Sequence, residues 1–300
     1  MQKKCIILVG STAVGKTTMA IKLAQHYNTA IISADSRQCY KELSIGVAKP
    51  GDVELELIPH YFIHSHSVKE AFSAADFEAY ALQKAEQLFL TKDVVILVGG
   101  TGLYIKAFVE GLDQIPPVST SVQEKLMAAY SEGGLPWLQG QVRQDDPVFF
   151  QTGEIQNPQR MLRALEVKWT TGKSIHEFRT HQKKERPFRV LQFGLELPRA
   201  VLYNRINDRV TQMINEGLVD EVRNLIPYRS LNALQTVGYR ELFDYFDGII
   251  SLESAIELIK QNTRHYAKRQ MTWFKKDSSV NWVDVSDEEN AFQAIVQQAG

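Results

Sequence analysis

The chain has 300 residues, and its 34 Lys plus Arg against 35 Asp plus Glu leave a formal net charge of −1. Hydrophobic residues at 44% and charged residues at 23% exclude the disordered, collagen-like and disulfide-rich classes, and the balanced charge advertises no nucleic-acid partner. At about 150 residues per domain, this length predicts two domains, or one core carrying a large insertion. Cys5 and Cys39 are the only cysteines, too few for a disulfide framework or a Cys-based zinc site. The longest apolar runs, Cys5 to Val9 and Val94 to Val98, fall far short of a membrane span, and no signal-peptide pattern opens the chain. The expectation is a cytoplasmic protein with no membrane partner.

The first elements read as a β-α-β unit. Cys5 to Val9 and Ala30 to Ser33 are short β-branched runs, separated by Thr17 to His26, where Met19, Ala20, Leu23 and Ala24 recur at helical spacing. A third strand, Val94 to Val98, follows a helix whose face is Phe77, Ala81, Ala85 and Leu88. Continuous apolar strands predict helices on both faces of a parallel sheet. After Gly111 come Pro116, Pro117, the Gly133-Gly134 pair and a polar helical stretch to about Arg186. Arg189 to Leu197 then reads as a strand returning to the core, followed by long amphipathic helices. In the last of these Ile256, Ile259, Thr263, Tyr266, Ala267 and Trp273 form the packing stripe, with Lys260, Arg264, Lys268 and Lys275 opposite. The predicted fold is α/β: a P-loop NTPase-like parallel sheet flanked by helices, with an inserted mainly helical domain. Residues 1–111 make the first part of the core, 112–188 the insertion, and 189–300 the core completion and C-terminal helices.

Between the first strand and first helix, Gly10-Ser11-Thr12-Ala13-Val14-Gly15-Lys16-Thr17 fits G-x-x-x-x-G-K-[ST]. Glycines let backbone N–H groups converge on phosphate oxygens, the helix N-terminus adds partial positive charge, Lys16 neutralises oxygens and the Thr17 hydroxyl can reach Mg²⁺. Open α/β sheets place ligands at the strand ends. The second strand runs into Ala34-Asp35-Ser36-Arg37-Gln38-Cys39-Tyr40, which sets a carboxylate, an arginine and an amide at the lip of the cradle. Asp35 can hold Mg²⁺, take a proton, or simply cap the next helix. The third strand ends in Gly99-Gly100-Thr101-Gly102-Leu103-Tyr104, where a motor or switch NTPase carries a metal-holding Asp. That missing carboxylate argues against ATP hydrolysis, and the absence of Asn-Lys-x-Asp argues against a guanine switch. The glycines allow close approach to the backbone and leave the Thr101 hydroxyl pointing at whatever binds.

These motifs, with Ala48-Lys49-Pro50 and Gln235-Thr236-Val237-Gly238-Tyr239-Arg240-Glu241, closely resemble the tRNA dimethylallyltransferases from residue 4 to about 276. The resemblance implies transfer of a dimethylallyl group from dimethylallyl diphosphate to the exocyclic amine of adenosine 37, beside the anticodon of tRNAs that read codons beginning with U. The phosphate loop would then hold a diphosphate leaving group, with Mg²⁺ on Thr17. Asp35 is the base for a poorly nucleophilic amine, and Lys16 and the loop amides stabilise charge on the leaving oxygens. The resemblance also puts Thr101 beside the amine and residues Asp35, Ser36, Arg37 and Gln38 against the tRNA. It matches Asn157 to Val167 to a second RNA motif carrying Gln159, Arg160, Met161, Leu162 and Arg163, and assigns Arg209, which shares a helix face with Arg205, to the diphosphate. On a helix Met161, Leu165 and Trp169 pack inward while Arg160 and Arg163 stay available.

The chain departs from the family in having Gln123 where an arginine is common, and Asn157-Pro158 where an acidic residue is common second. It also lacks a C-terminal Cys/His zinc module, which suits a bacterial-type enzyme. His60, His64 and His66 read as part of a family segment without a metal role. Residues 160–189 and 260–276 are locally basic and read as phosphate-facing. The implied partner is a tRNA anticodon stem-loop, bound by a monomer. Rival readings are an adenylate dimethylallyltransferase acting on free nucleotide, a P-loop small-molecule kinase, and an RNA-binding switch with a vestigial nucleotide site.

Overall fold

The structure, a computed structural model, describes residues 2–180 and 182–300. It divides into two compact units, one of residues up to Val109 with Glu185–Gly300 and the other of Glu110–Lys184.

The larger unit is built on strands β1 (Lys4–Gly10), β2 (Ile31–Ser33), β3 (His60–Tyr61), β4 (Val94–Val98), β5 (Arg189–Glu196) and β6 (Val280–Asp284). All neighbours pair in parallel, in the order β3-β2-β4-β1-β5-β6. Strand β1 is central because it is apolar on both faces. Cys5, Ile7 and Val9 join one core with Phe77, Ala81 and Phe108, while Ile6 and Leu8 join another with Met19, Leu23, Ile206 and Ile295. Helices therefore cover both sides of the sheet. They are α1 (Lys16–His26), α2 (Asp52–Leu57), α3 (Ala74–Phe89) and α4 (Gly102–Glu110) in the first half of the chain. The second unit holds α5 (Thr120–Asp145), α6 (Pro147–Thr152) and α7 (Pro158–Thr171). The chain then completes the larger unit with α8 (Arg199–Asn215), α9 (Leu218–Asn224), α10 (Arg240–Phe246), α11 (Leu252–Phe274) and α12 (Glu288–Ala299).

The fold class read from the sequence stands, and the differences lie at the edges. Strand β3 has only two residues, His60 and Tyr61, and β6 reads Val-Asn-Trp-Val-Asp, so neither offers the apolar run that marks the buried strands. The C-terminal region is accordingly not helical throughout. Helical structure in the smaller unit ends at Thr171, with one further short turn at Ile175–Phe178, and does not continue to Arg186. Gly134, at φ 61°, kinks α5 ahead of Pro136. The stripe of α11 buried in the core is Ala255, Ile259, Ala267, Gln270 and Phe274, while Trp273 remains 40% exposed.

Arg186 illustrates why a basic segment is not automatically a surface. Its guanidinium donates to the carbonyls of Ala107 and Phe108 at 2.8 Å each and pairs with Glu78 at 3.0 Å, with both side chains largely buried. It fastens α3 and α4 and cannot face phosphate, which corrects its place in the basic 160–189 segment. Removing one partner of such a pair strands the other charge. Arg186→Met should therefore cost about 3 kcal/mol of stability, read from the midpoint of urea denaturation.

Candidate active site

The phosphate loop sits where β1 ends. Gly10 at φ 144° and Gly15 at φ 105° supply backbone turns that L side chains rarely adopt, and a Cβ on Gly10 would lie 2.7 Å from the Leu195 carbonyl oxygen. Ser11 and Val14 are buried at 1% exposure each, so their contribution to a ligand is through the backbone. The Lys16 ammonium folds back to donate to the carbonyls of Ser11 at 2.7 Å and Gly10 at 3.1 Å. Burial pulls its pKa down to about 8, against the opposing pull of Asp35, with Arg209 adding to the decrease. Arg209 reaches Thr12, its guanidinium donating to the Oγ1 at 3.3 Å. Arg205 lines the same cleft, its guanidinium 3.9 Å from where a Cβ on Gly15 would stand.

The ends of β2 and β4 meet beside this loop. A Cβ on Gly99 would lie 2.1 Å from the Ala34 carbonyl oxygen, so only glycine permits the approach. That contact brings the two loops together: the Thr101 Oγ1 accepts from the Ser36 amide at 3.0 Å, and its N–H donates to the Ala34 carbonyl at 3.3 Å. Asp35 uses Oδ1 to accept from the amides of Arg37 at 2.9 Å and Gln38 at 3.3 Å, closing a turn; no helix follows it, so it is not a helix cap. Its Oδ2 makes no hydrogen bond among the described residues. Gln38 is committed internally. Its amide donates to the Val47 and Ala48 carbonyls at 3.2 and 3.0 Å, and its Oε1 accepts from Ser33 at 3.2 Å. These bonds pin the Val47–Ala48 end of the neighbouring loop.

The phosphate loop and Asp35 open onto one cleft of about 780 Å³. Ile45, Val47 and Met213 contribute apolar side chains to its lining. It also carries Lys49, whose ammonium donates to the Tyr40 carbonyl and lies 3.0 Å from His64 Nδ1, and whose pKa burial pulls down to about 8. The other two histidines of that segment are engaged locally, His60 with the Ile58 carbonyl and His66 with Ser65. Gln270 is a site residue that periodicity hides, because it occupies a buried position of an amphipathic helix. It accepts from the Thr12 amide at 2.8 Å and donates to the Gly100 carbonyl at 3.0 Å, bridging the phosphate loop to the glycine turn. One turn earlier on α11, Tyr266 also lines the cleft, its phenol pKa raised by burial and then by Asp35. An uncompensated Gln in a core stripe was the available signal.

In the smaller unit Gln123, Gln159 and Arg160 are exposed and Arg163 is half-buried. Met161 and Leu162 are 0% and 5% exposed, packed with Leu126, Leu138 and Leu165. Their side chains are core, which corrects any direct RNA contact through them. Trp169 does turn inward, its indole donating to Asp145 at 2.6 Å. Arg160 pairs with Glu154 and Arg163 with Glu166 at 3.1 Å.

A phosphate loop closing a parallel sheet, with no carboxylate at the end of β4, defines a phosphate-binding α/β protein of the P-loop class. The IPP transferase family model matches residues 38–277. The tRNA dimethylallyltransferase 1 of Bacteroides thetaiotaomicron is 47% identical over 277 residues, 92% of this chain and 90% of its own. The tRNA dimethylallyltransferase of Christiangramia forsetii is 46% identical over 98% of both chains. Among solved structures, the full-length tRNA isopentenylpyrophosphate transferase of Bacillus halodurans is 35% identical with a TM-score of 0.73, over 100% of this chain and 96% of that one. A eukaryotic dimethylallyltransferase acting on tRNA gives a TM-score of 0.81 at 27% identity, over 99% of this chain and 77% of that one. The chain belongs to the IPP transferase family.

The lowered pKa of Lys16 fixes a sign. The amine is charged below about 8 and loses its charge above it, so affinity of the free protein for a diphosphate ester should fall as pH rises through that value. Lys49 discharges over the same range and contributes a smaller part of the decline. Lys16→Arg keeps its cation throughout and should flatten most of that fall in titration calorimetry. An unchanged decline would place the titrating group elsewhere.

Proposed function

We propose that this chain is a tRNA dimethylallyltransferase. It moves a dimethylallyl group from dimethylallyl diphosphate to the exocyclic amine of an adenosine in tRNA, that adenosine being number 37 beside the anticodon. The observation that carries this reading is one cleft that gathers the phosphate loop and Asp35, with Thr101 bonded to the neighbouring Ser36 and no Asp at the end of β4.

The reaction forms a bond from the amine nitrogen to the allylic carbon and breaks that carbon's bond to the diphosphate oxygen. One amine proton goes to Asp35 Oδ2, the oxygen that the turn amides leave free. Thr101 holds the glycine turn against Ser36, next to Asp35, and its hydroxyl is the group assigned in this reading to the amine and the leaving oxygen. Lys16, Arg209 and the amides of Gly10 to Thr17 take the charge that builds on the diphosphate. The dimethylallyl tail lies against Ile45, Val47 and Met213. An adenine paired in a loop stack cannot reach this cleft, so the base is turned out of the RNA.

Mg²⁺ fits the donor set as a partner of the diphosphate. Thr17 lines the cleft and its hydroxyl makes no hydrogen bond among the described residues. No group of three or more His, Cys, Asp or Glu that can hold a metal occurs among them, so a single hydroxyl with diphosphate oxygens and waters would hold the ion. When bound, the ion neutralises charge on the leaving group. On the smaller unit Arg160 and Arg163 supply the phosphate contacts; the exposed pair of Arg160 with Glu154 is weak enough to exchange for RNA, and Arg163 keeps a half-exposed guanidinium.

Labelled dimethylallyl diphosphate offered with unmodified tRNA, adenosine monophosphate and ATP tests the reading. Label should enter tRNA; label in the free nucleotide, or phosphoryl transfer alone, would contradict it. Asp35→Ala should lower single-turnover transfer by about 10²–10⁴-fold with stem-loop affinity within a few-fold of wild type; near-normal rates would put the base elsewhere. Reversing charge at Arg160 and Arg163 together should weaken stem-loop binding. It should also flatten the logarithmic salt slope, by roughly 0.7 for each lost phosphate contact.

A further inference from the structure

Two sequence motifs have no role in the chemistry above, the Ala48-Lys49-Pro50 loop and the Gln235 to Glu241 segment. A single carboxylate connects them. Glu221, on α9, accepts three successive backbone amides of the cleft wall, Ser44 at 3.1 Å, Ile45 at 2.8 Å and Gly46 at 3.1 Å, and also the Tyr239 hydroxyl at 2.6 Å. Tyr239 is 0% exposed, and its ring is so close to Gly46 that an added Cβ would lie 2.6–2.7 Å from it. The loop thus lies flush on a buried aromatic ring and is tied to it through Glu221.

The same loop is held at its other end by the Gln38 amide on the Val47 and Ala48 carbonyls, and the Gln38 backbone amide in turn donates to Asp35 Oδ1. We infer that Glu221, anchored by Tyr239, is a positioning residue for Asp35, acting through the Ser44–Ala48 wall and Gln38. Three parallel N–H donors make an anion-binding concavity, and here the anion is built into the chain. A carboxylate accepting several amides fixes the wall far more firmly than a turn left to itself, because hydrogen bonds to a charged acceptor are short and strong. The result is a cleft wall and a base set by the packed core beneath them. Displacing a reacting group by about 1 Å can cost on the order of 100-fold in rate, so a relay of this kind reads out in turnover. The inference rests on Asp35 being the base, as proposed above.

A double-mutant cycle in single-turnover transfer tests it. Glu221→Gln, which retains the fold contacts but weakens the grip on the three amides, and Gln38→Ala should each lower the transfer rate by about tenfold or more, with stem-loop affinity within a few-fold of wild type. Together they should lose little beyond the worse single variant, since both cut one chain of contacts. Tyr239→Phe, which removes one of the four donors to Glu221, should give a smaller loss in the same direction. Multiplicative losses in the double variant, or a full rate in Glu221→Gln, would overturn the relay. Wild-type transfer measured alongside keeps its failure separate from failure of the tRNA reading.

Discussion

The site depends on how closely the ends of β2 and β4 approach, at the contact of Gly99 with the Ala34 backbone. A Cβ there would lie 2.1 Å from a carbonyl oxygen, so no other residue lets the two strand ends touch. Everything polar in the cleft is placed relative to that contact. Thr101 reaches Ser36 across it, and Asp35 is thereby carried to the lip of the phosphate loop. Gln270 completes the arrangement from the far side of the sheet order, holding Thr12 and Gly100 with one side-chain amide. Gly100 repeats the logic, because a Cβ on it would lie 2.2 Å from that amide nitrogen. The parallel sheet supplies the strand ends, and the glycines let them close.

Charge behaves in the same local way. The net charge of −1 averages over parts that do different things. Arg186 is spent on two carbonyls and Glu78 inside the core, and Lys275 pairs with Glu196, so the basic segments are only partly available to phosphate. In the cleft, by contrast, Lys16, Lys49 and Arg209 are cations whose pKa values burial has lowered, so an anion bound there restores the stabilisation that burial removes. Such a distribution suits a protein that grips one anionic group firmly and a larger polyanion loosely.

Much of this was legible in the sequence. The apolar runs of β1, β2, β4 and β5, the phosphate loop and the two strand-end motifs each carry a local signal: a run rich in apolar residues, spaced glycines, or a carboxylate after a strand. What escaped was whatever depends on tertiary contact. β3 and β6 are too short and too polar to stand out. Met161 and Leu162 sit in a motif beside arginines, yet the helical period carries them into the core. Gln38 has the chemistry of a base reader, but two nearby carbonyls claim its amide. Glu221 lies in an ordinary charged helix, and nothing local marks it as the partner of a loop 175 to 177 residues earlier in the chain.

On the proposed reading, the cleft at the ends of β1, β2 and β4 acts on one adenosine of an RNA loop, with a diphosphate as the other product. Nuclease digestion and mass spectrometry of unmodified tRNA, after reaction with the protein and dimethylallyl diphosphate, tests it most directly. One five-carbon unit should appear on a single adenosine beside the anticodon, with diphosphate released in equal amount. Tails scattered over several adenosines, or unchanged tRNA with intact dimethylallyl diphosphate, would contradict it.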